Sequence, residues 1–394
     1  MPIVQEDWNN MVWKFIKNFV FYVGLLVFVV LALYYMWTPR YYFPQTDVFF
    51  GKNIYNPYQD VESADWQKTG LYTFPAWYRD AMERLSGNDR YYEVDEYYYD
   101  TVLYSANQVF HQNGSTYSQG LFQDDHIVIG CNKIEWTDYP FIRDIHNKQH
   151  RINKIRSHGC LLYIKPSVFF DDYQPDHPRL LRNYNGIMVD ENFKQSLYLW
   201  DQALSAGIYS TLLANTLPKS SRFLPEKQNR IMYVNRSAGT LKEALKTGNY
   251  FVATKYDHES DEERPEMKSF LRSVKSEGDT LTITLTKEAL AFNIFGQNGD
   301  IKKVVKNSRR ATYDMDRRDT YIRVEVLFDD GTHYYLNPLH RYAGNTHDKV
   351  PPVEVNFLKT WLLRGGGVFA LLIFVWLLLY LKRRLKIEII EPKE

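Results

Sequence analysis

Cysteine and net charge are both scarce in this chain. Two of its 394 residues are cysteine, and 48 lysines and arginines almost balance 47 aspartates and glutamates, which leaves a formal net charge of +1. So few cysteines exclude the disulfide-dense class of small secreted domains. The small net charge argues against nucleic acid as a partner, because nucleic-acid-binding proteins usually carry a basic excess. The sequence also contains no internal repeat and no low-complexity segment.

The two cysteines, Cys131 and Cys160, lie in short apolar segments that are typical of buried strands. A domain of this size does not need a disulfide for its stability. A bridge between the two cysteines and a pair of free buried thiols are both compatible with the sequence, and we leave both alternatives open.

Charged residues are absent from two long segments, one near each end of the chain. The first runs from Asn18 to Pro39 and the second from Gly365 to Leu381. Each is about long enough to cross a hydrocarbon core of roughly 30 Å as a helix that rises about 1.5 Å per residue. The first exceeds the roughly 7–15 apolar residues of a signal peptide, and no small-x-small cleavage site follows it. We therefore predict two transmembrane helices.

Basic residues beside these segments predict the orientation of the chain. Lysines and arginines that flank a span stay on the cytoplasmic side. Lys14 and Lys17 precede the first span, and a basic cluster from Lys382 to Lys386 follows the second. We predict a cell-membrane protein with both termini in the cytoplasm and its main domain outside, in the periplasm if the cell is Gram-negative. The predicted segments are a cytoplasmic N-terminus (1–17), a transmembrane helix (18–39), a connection (40–65), a barrel-like core (66–230), a C-terminal part with a β-hairpin (231–342), a linker (343–358), a transmembrane helix (359–381) and a cytoplasmic tail (382–394).

The predicted core alternates short apolar strands with amphipathic helices. Apolar runs predict strands, and glycine stops end the helices. Alternation of strands and helices favours a parallel α/β sheet or barrel. The predicted elements are strands at Val102–Tyr104, Ile127–Gly130, Leu161–Ile164 and Gly207–Ala214 and helices at Phe141–Ser157 and Gln195–Ala206.

The pattern changes after Ile231, where alternating strands and hairpin signals predominate. The turn Asp329-Asp330-Gly331 is typical of a β-hairpin. We predict a small antiparallel β layer added to the α/β core. Its elements are a helix at Thr240–Thr247 and strands at Tyr250–Lys255, Leu281–Thr286, Tyr321–Phe328 and Thr332–Leu336.

Three phrases occur in an order that resembles a known superfamily. They are 56–74, 240–254 and 321–339, the last with the dipeptide Asn337-Pro338. Together they resemble the polymerase-and-histidinol-phosphatase (PHP) superfamily, over roughly residues 56 to 340 with gaps. The resemblance implies a distorted (β/α)7 barrel whose strand ends carry divalent metals for phosphoester hydrolysis.

The chain departs from that family at the positions that would hold the metals. Divalent metals need carboxylates and neutral imidazoles as ligands, and most of the residues found here cannot serve. No substitute cluster is evident among the ten histidines. We predict a degenerate, non-catalytic pseudoenzyme without metal or cofactor. The departures are Tyr72 and Phe74 for a His-x-His pair, Ala106 and Asn107 for Asp-His, Asn132 for the glutamate of Gly-x-Glu, Lys165 for the histidine of His-Pro, and Leu217 with Lys219 for Asp-x-His.

Three functions remain open on the sequence. In the first, the domain is an extracytoplasmic subunit or scaffold of an envelope complex with an integral membrane partner, whose helix packs at Gly365, Gly366 and Gly367 because small residues permit close approach. In the second, the many tyrosines and a vestigial pocket bind a glycan or an anionic ligand. In the third, the domain is a hydrolase with a relocated site. The predicted pocket residues are Tyr72, Phe74, Ala106, Asn107, Asn132, Lys165 and Lys219.

Overall fold

The structure, a computed structural model, describes most of the chain. The described residues are 3–59, 66–72, 90–93, 100–105, 108–117, 126–130, 135, 137, 139, 143–166, 174, 176–189, 193–214, 228–235, 239–256, 268–344 and 352–388. They fall into two compact units. The terminal unit combines Met1–Tyr42 with Glu354–Glu394, and the middle unit is Phe43–Val353.

Helices and strands follow one another along the described residues in a mixed order. In chain order they are α1 (Ile3–Trp37), β1 (Tyr41–Tyr42), β2 (Asn53–Tyr55), β3 (Trp66–Tyr72), β4 (Arg90–Glu93), β5 (Asp100–Ser105), β6 (Gln108–Tyr117), β7 (His126–Ile129), α2 (Ile145–Arg156), β8 (Leu161–Ile164), α3 (His177–Leu180), β9 (Gly186–Val189), α4 (Phe193–Ser205), β10 (Thr211–Ala214), β11 (Gln228–Asn235), α5 (Leu241–Thr247), β12 (Tyr250–Tyr256), β13 (Leu271–Glu277), β14 (Thr280–Phe295), β15 (Ile301–Asp314), β16 (Tyr321–Leu327), β17 (Thr332–Tyr342), β18 (Glu354–Val355) and α6 (Phe357–Glu388).

The terminal unit consists of two long helices and a small sheet. Strands β1 and β18 pair antiparallel, next to the ends of α1 and α6. Both helices are long and apolar enough to be candidate membrane spans, over Val12–Trp37 and Phe357–Arg384. This confirms the prediction of a long apolar helix near each end of the chain.

The middle unit contains one continuous sheet of sixteen strands. Its main path is β10-β9-β8-β7-β6-β5-β4-β3-β11-β12-β17-β16-β14-β13, with β15 paired to β14 and β2 paired to β17. Among the described strands, β8, β9 and β10 run parallel, as do β3 and β4. The remaining pairings of this sheet are antiparallel.

The predicted (β/α) barrel is wrong for the described part of the chain, because the sheet does not close. At one end of the sheet, β10 lies beside β11, β12 and β17. However, β12 is already paired with β11 on one edge and β17 on the other. A strand has only two hydrogen-bonding edges, so β12 has none to offer β10. The antiparallel strands that we expected as an added layer continue the same sheet.

Two clusters of buried hydrophobic residues form the core of the middle unit. One surrounds Trp200 and includes residues of β7 to β10, α2, α4 and α5. The other surrounds Phe292 and includes residues of β11 to β17. Local sequence signals set both ends of α5. Thr240 and Glu243 form a capping box at its start, and Gly248 ends the helix at φ 84°, a conformation that favours glycine.

Candidate functional site

The structure describes two of the seven residues predicted to line a vestigial pocket. Tyr72 is the last residue of β3, and the half-buried Lys165 follows β8. The pairings between β3 and β8 leave these strands pointing the same way. Their carboxyl ends share one edge of the sheet but lie five strand steps apart, roughly 24 Å along the sheet. The pocket stays a prediction, since the others lie outside the described residues: Phe74, Ala106, Asn107, Asn132 and Lys219.

Asn337, which belongs to the dipeptide that supported the family resemblance, joins the strands where the sheet fails to close. Its side chain is buried and sits on β17. The amide nitrogen donates to the carbonyl oxygens of Gly248 (3.1 Å) and Tyr250 (2.8 Å). The amide oxygen accepts from the backbone N–H of Leu212 in β10 (2.9 Å). One asparagine therefore replaces the strand pairing that β10 cannot make there.

Tyr58 completes this arrangement, which we call the seam (Tyr58, Leu212, Gly248, Tyr250 and Asn337). The Tyr58 hydroxyl donates to the Tyr250 carbonyl (2.8 Å) and accepts from the Asn337 backbone N–H (2.5 Å). Burial raises the pKa of Tyr58 well above its usual value, so the hydroxyl keeps its proton. Both N–H donors of the Asn337 amide are used inside the seam, which identifies it as a structural element.

A second buried cluster fixes α4 to the sheet. Arg323 of β16 donates to both carboxylate oxygens of Asp201 on α4, at 2.7 Å each, and to Glu325 at 2.6 Å. Its guanidinium also lies 4.1 Å from the ring centroid of Phe295. We call Asp201, Arg323 and Glu325 the ion cluster. The sequence contains a signal for it, since Asp201 falls on the apolar face of α4 and Arg323 interrupts an apolar strand.

Opposing effects act on the charges of the ion cluster. Burial opposes the charge of Arg323, but the hydrogen bonds and charges of Asp201 and Glu325 outweigh it and raise the arginine pKa. Burial raises the pKa of Glu325, and Arg323 acts against this increase. Such a cluster holds its members in one geometry, with three of the five guanidinium N–H groups donating to the two carboxylates.

A third set of polar residues lies around α2 and consists of two hydrogen-bonded groups. Glu135 and His158 are 3.0 Å apart, and Thr137 donates to Glu135 at 2.6 Å. The hydroxyl of Tyr139 lies 2.5 Å from Nδ1 of His150. Of the described residues, these come nearest to a catalytic constellation, because they pair histidines with a carboxylate and a phenol.

The pKa values of Glu135 and His150 do not suit either group to act as a general base near neutral pH. Burial raises the pKa of Glu135, but hydrogen bonds from Thr137 and His158 outweigh it and lower the pKa to about 2. Burial and the charge of Lys154 lower the pKa of His150 to about 4, against the effect of Glu135. A general base works best when its pKa lies near the working pH. The pKa values of both groups lie well below neutral pH.

His150 should make stability depend on pH. The folded state keeps His150 neutral down to about pH 4, whereas an unfolded histidine takes up a proton near pH 6.5. Stability from this group is therefore present above pH 6.5 and lost as the pH falls toward 4. We expect a loss of about 2 kcal/mol between those values, after allowance for solvent screening. His150→Gln should flatten the pH dependence of urea unfolding in this window, and an unchanged slope would contradict the assignment.

The helices of the terminal unit run antiparallel and contact each other along their length. Phe28 and Phe374 have ring centroids 5.4 Å apart near the middle. At one end, Arg364 donates to the carbonyl of Trp37 (2.8 Å) and lies 4.8 Å from its ring centroid. At the other, Nζ of Lys382 lies 4.0 Å from the rings of Phe21 and Tyr22. We call α1 and α6 with these contacts the helix pair.

The three glycines of α6 have different surroundings. A Cβ added to Gly367 would collide with Met36 of α1. A Cβ on Gly365 or Gly366 would have no heavy atom within 4 Å. Within this chain, close packing of the helix pair uses Gly367 alone of the three.

Within the described ranges, no group of three or more histidine, cysteine, aspartate or glutamate residues is placed to hold a metal. The predicted absence of metal and cofactor remains a prediction for the chain as a whole. Compared with family models, with curated proteins and with solved structures, the chain matches none of them. The PHP resemblance accordingly rests on the sequence phrases alone.

Proposed function

We propose that this protein crosses the membrane twice and that its middle unit is a non-catalytic subunit or scaffold of an envelope complex. The observation that carries the proposal is the helix pair. Arg364 and Lys382, which contact aromatic rings at its two ends, are 18 residues apart in α6. At about 1.5 Å per residue this is roughly 27 Å, close to the thickness of a hydrocarbon core.

Charge and redox chemistry support a location of the middle unit outside the cytoplasm. The basic cluster from Lys382 to Lys386 belongs on the cytoplasmic side under the positive-inside rule. Cys160 is disulfide-bonded. Disulfides persist mainly in oxidising compartments.

Cysteine labelling tests the orientation. Lys275 is exposed on β13, and a Lys275→Cys variant should react with a membrane-impermeant maleimide in intact spheroplasts. Gln5→Cys, in the N-terminal segment, serves as the matched control and should react only after the membrane is permeabilised. The opposite pattern at the two positions would overturn the proposed topology.

Gly365 and Gly366 of α6, where an added Cβ would have no heavy atom within 4 Å, suggest how a partner could pack against the helix pair. Two helices exceed what tethering requires, and small residues allow another helix to approach closely in lipid. A Cβ added to Gly366 would have no described heavy atom within 4 Å, so we expect Gly366→Leu to leave the helix pair intact and to release a membrane partner. Gly24→Leu, equally unobstructed on α1, is the control.

A detergent pull-down of the full chain, followed by the stoichiometry of any bound membrane protein, measures this outcome. We expect a stoichiometric partner with the wild type and with Gly24→Leu, and at least a tenfold loss with Gly366→Leu. A wild type without such a partner would contradict the subunit proposal. Equal recovery with the wild type and both variants would instead show that the partner packs elsewhere.

A second candidate function, the binding of an anionic ligand, is favoured by a different observation. Strand β15 is rich in lysine and arginine and largely exposed. The remaining alternative, a hydrolase with a relocated site, predicts a bound metal in the purified protein. Metal analysis of the purified full chain separates it from the other two.

A further inference from the structure

Strand β15 forms an unpaired edge of the large sheet. It pairs with β14 along almost its whole length. The opposite edge of β14 is occupied by β13 and β16. The other edge of β15 has no strand partner among the described residues. Side chains of β15 already bond to backbone groups of Arg310 and Thr312. Over Ile301–Lys306 the outward N–H and C=O groups have no hydrogen-bond partner among the described residues and can accept another strand.

The edge is strongly basic, and most of that charge is not neutralised. β15 contains five lysines and arginines but only one acidic residue, Asp314. Lys302 forms an ion pair with Asp319 at 3.2 Å. Lys306, Arg309 and Arg310 form no ion pair with any described residue. These three charges, together with Lys303, whose Nζ donates to the Thr312 carbonyl at 2.8 Å, make β15 attractive to an anionic partner.

Protection against aggregation explains only part of this composition. Charged residues, lysine above all, commonly blunt exposed edge strands. However, branched apolar side chains stand between the charges: Ile301 is 59% exposed and Val304 is 43% exposed. At 14 residues the strand is also far longer than the usual five or six. A long edge strand with exposed apolar residues promotes aggregation unless another segment covers it.

We infer that β15 binds an extended acidic segment of another protein, which adds a strand along Ile301–Lys306. The backbone edge supplies the hydrogen bonds of strand addition, and alternate side chains supply specificity. Side chains alternate along a strand, so Val304 and Lys306 share one face of β15, and Lys303 and Val305 lie on the other. Acidic residues of the added strand pair with Lys306 on the first face, and its apolar residues lie beside Val305 on the second. This inference rests on the proposed function only in that the partner is another envelope protein.

Binding of a defined peptide to the full chain in detergent tests the inference. The probe is a fluorescein-labelled peptide of twelve alternating glutamate and valine residues, followed by fluorescence anisotropy. Its control has the same net charge but carries prolines that block strand pairing. We expect the alternating peptide to bind at least tenfold more tightly than the proline peptide.

Matched variants locate the binding surface. Lys303→Gln with Lys306→Gln should weaken the alternating peptide about tenfold. Arg272→Gln with Lys275→Gln removes the same charge from exposed positions of β13 and should change the affinity less than twofold. If both pairs weaken binding equally, β15 is not the site.

Three other outcomes would overturn the inference. Equal affinity for the proline peptide would show a preference for charge without strand addition. Binding of phosphatidylglycerol vesicles or polygalacturonate, with no binding of the peptide, would assign the surface to a lipid or a glycan. Peptide binding seen only after neutralisation of the acidic run 257–267 would make the chain's own segment the occupant. The topology and pull-down results above do not depend on any of these measurements.

Discussion

Arg323→Met is expected to lower the free energy of unfolding of the full chain by about 3–5 kcal/mol. Arg323 is almost fully buried and makes the only ion pair found for Asp201 among the described residues. Methionine fills a similar volume but leaves Asp201 and Glu325 as buried carboxylates without a cation. Removing one partner of a buried ion pair costs this much because the remaining charge stays desolvated. Urea unfolding followed by tryptophan fluorescence measures the change, since Trp200 lies beside the arginine.

Two further variants isolate the cause. Arg317→Met removes an exposed arginine from the turn before β16 and should change stability by less than about 0.5 kcal/mol. The triple variant Asp201→Leu, Arg323→Met, Glu325→Met removes every charge of the ion cluster. It should recover at least about 2 kcal/mol relative to Arg323→Met, because apolar replacement of a whole buried ion pair is often neutral. A triple variant less stable than the single one would show that packing, and not the stranded charge, sets the cost.

Asn337→Leu is expected to cost about 3–4 kcal/mol. It leaves the buried N–H of Leu212 without a partner, which costs roughly 1–3 kcal/mol. It also removes one of the two hydrogen bonds that the carbonyl oxygens of Gly248 and Tyr250 each accept, at about 0.5–1.5 kcal/mol per bond. Asn337→Asp should be no better, because aspartate accepts from Leu212 but cannot donate to Gly248 or Tyr250. The near-isosteric change separates hydrogen bonding from packing.

Amide hydrogen exchange provides the readout specific to the seam. In Asn337→Leu, the Leu212 amide should lose its protection under conditions where the amides that pair β9 with β10 keep theirs. Asn293→Leu replaces a half-buried asparagine of β14 whose side chain forms no hydrogen bond to a described residue, and it should leave Leu212 protected. Retained protection of Leu212 in Asn337→Leu would mean that β10 is held by something other than the seam.

The sequence predicted many of the elements but not their arrangement in the sheet. β8 occupies the predicted Leu161–Ile164, and α4 overlaps the predicted helix Gln195–Ala206. These elements carry a local signal, an apolar run or an amphipathic period that ends at a glycine. No element was predicted for 301–314, because β15 consists mostly of charged and polar residues without alternation. Pairing with β14, and not its own pattern, makes it a strand.

In the candidate sites too, the sequence indicated single residues but not the contacts between them. Asn337 was singled out from its phrase, but its role depends on β10, α5 and β12, which lie up to 125 residues away in the chain. Asp201 and Arg323 are 122 residues apart. Contacts over such separations leave no periodic trace in a single sequence.

The sequence by itself determined the two apolar terminal helices. A hydrophobic run of about twenty residues is a local property, and it does not depend on contacts with distant parts of the chain. The sequence also determined the mixed α/β character of the region between them. Only the tertiary structure decided that the sheet stays open beside β10, that Asn337 joins its strands there, and that a basic edge is left along β15. Strand order depends on which hydrogen-bonding edges are already occupied, and that is settled by the chain as a whole.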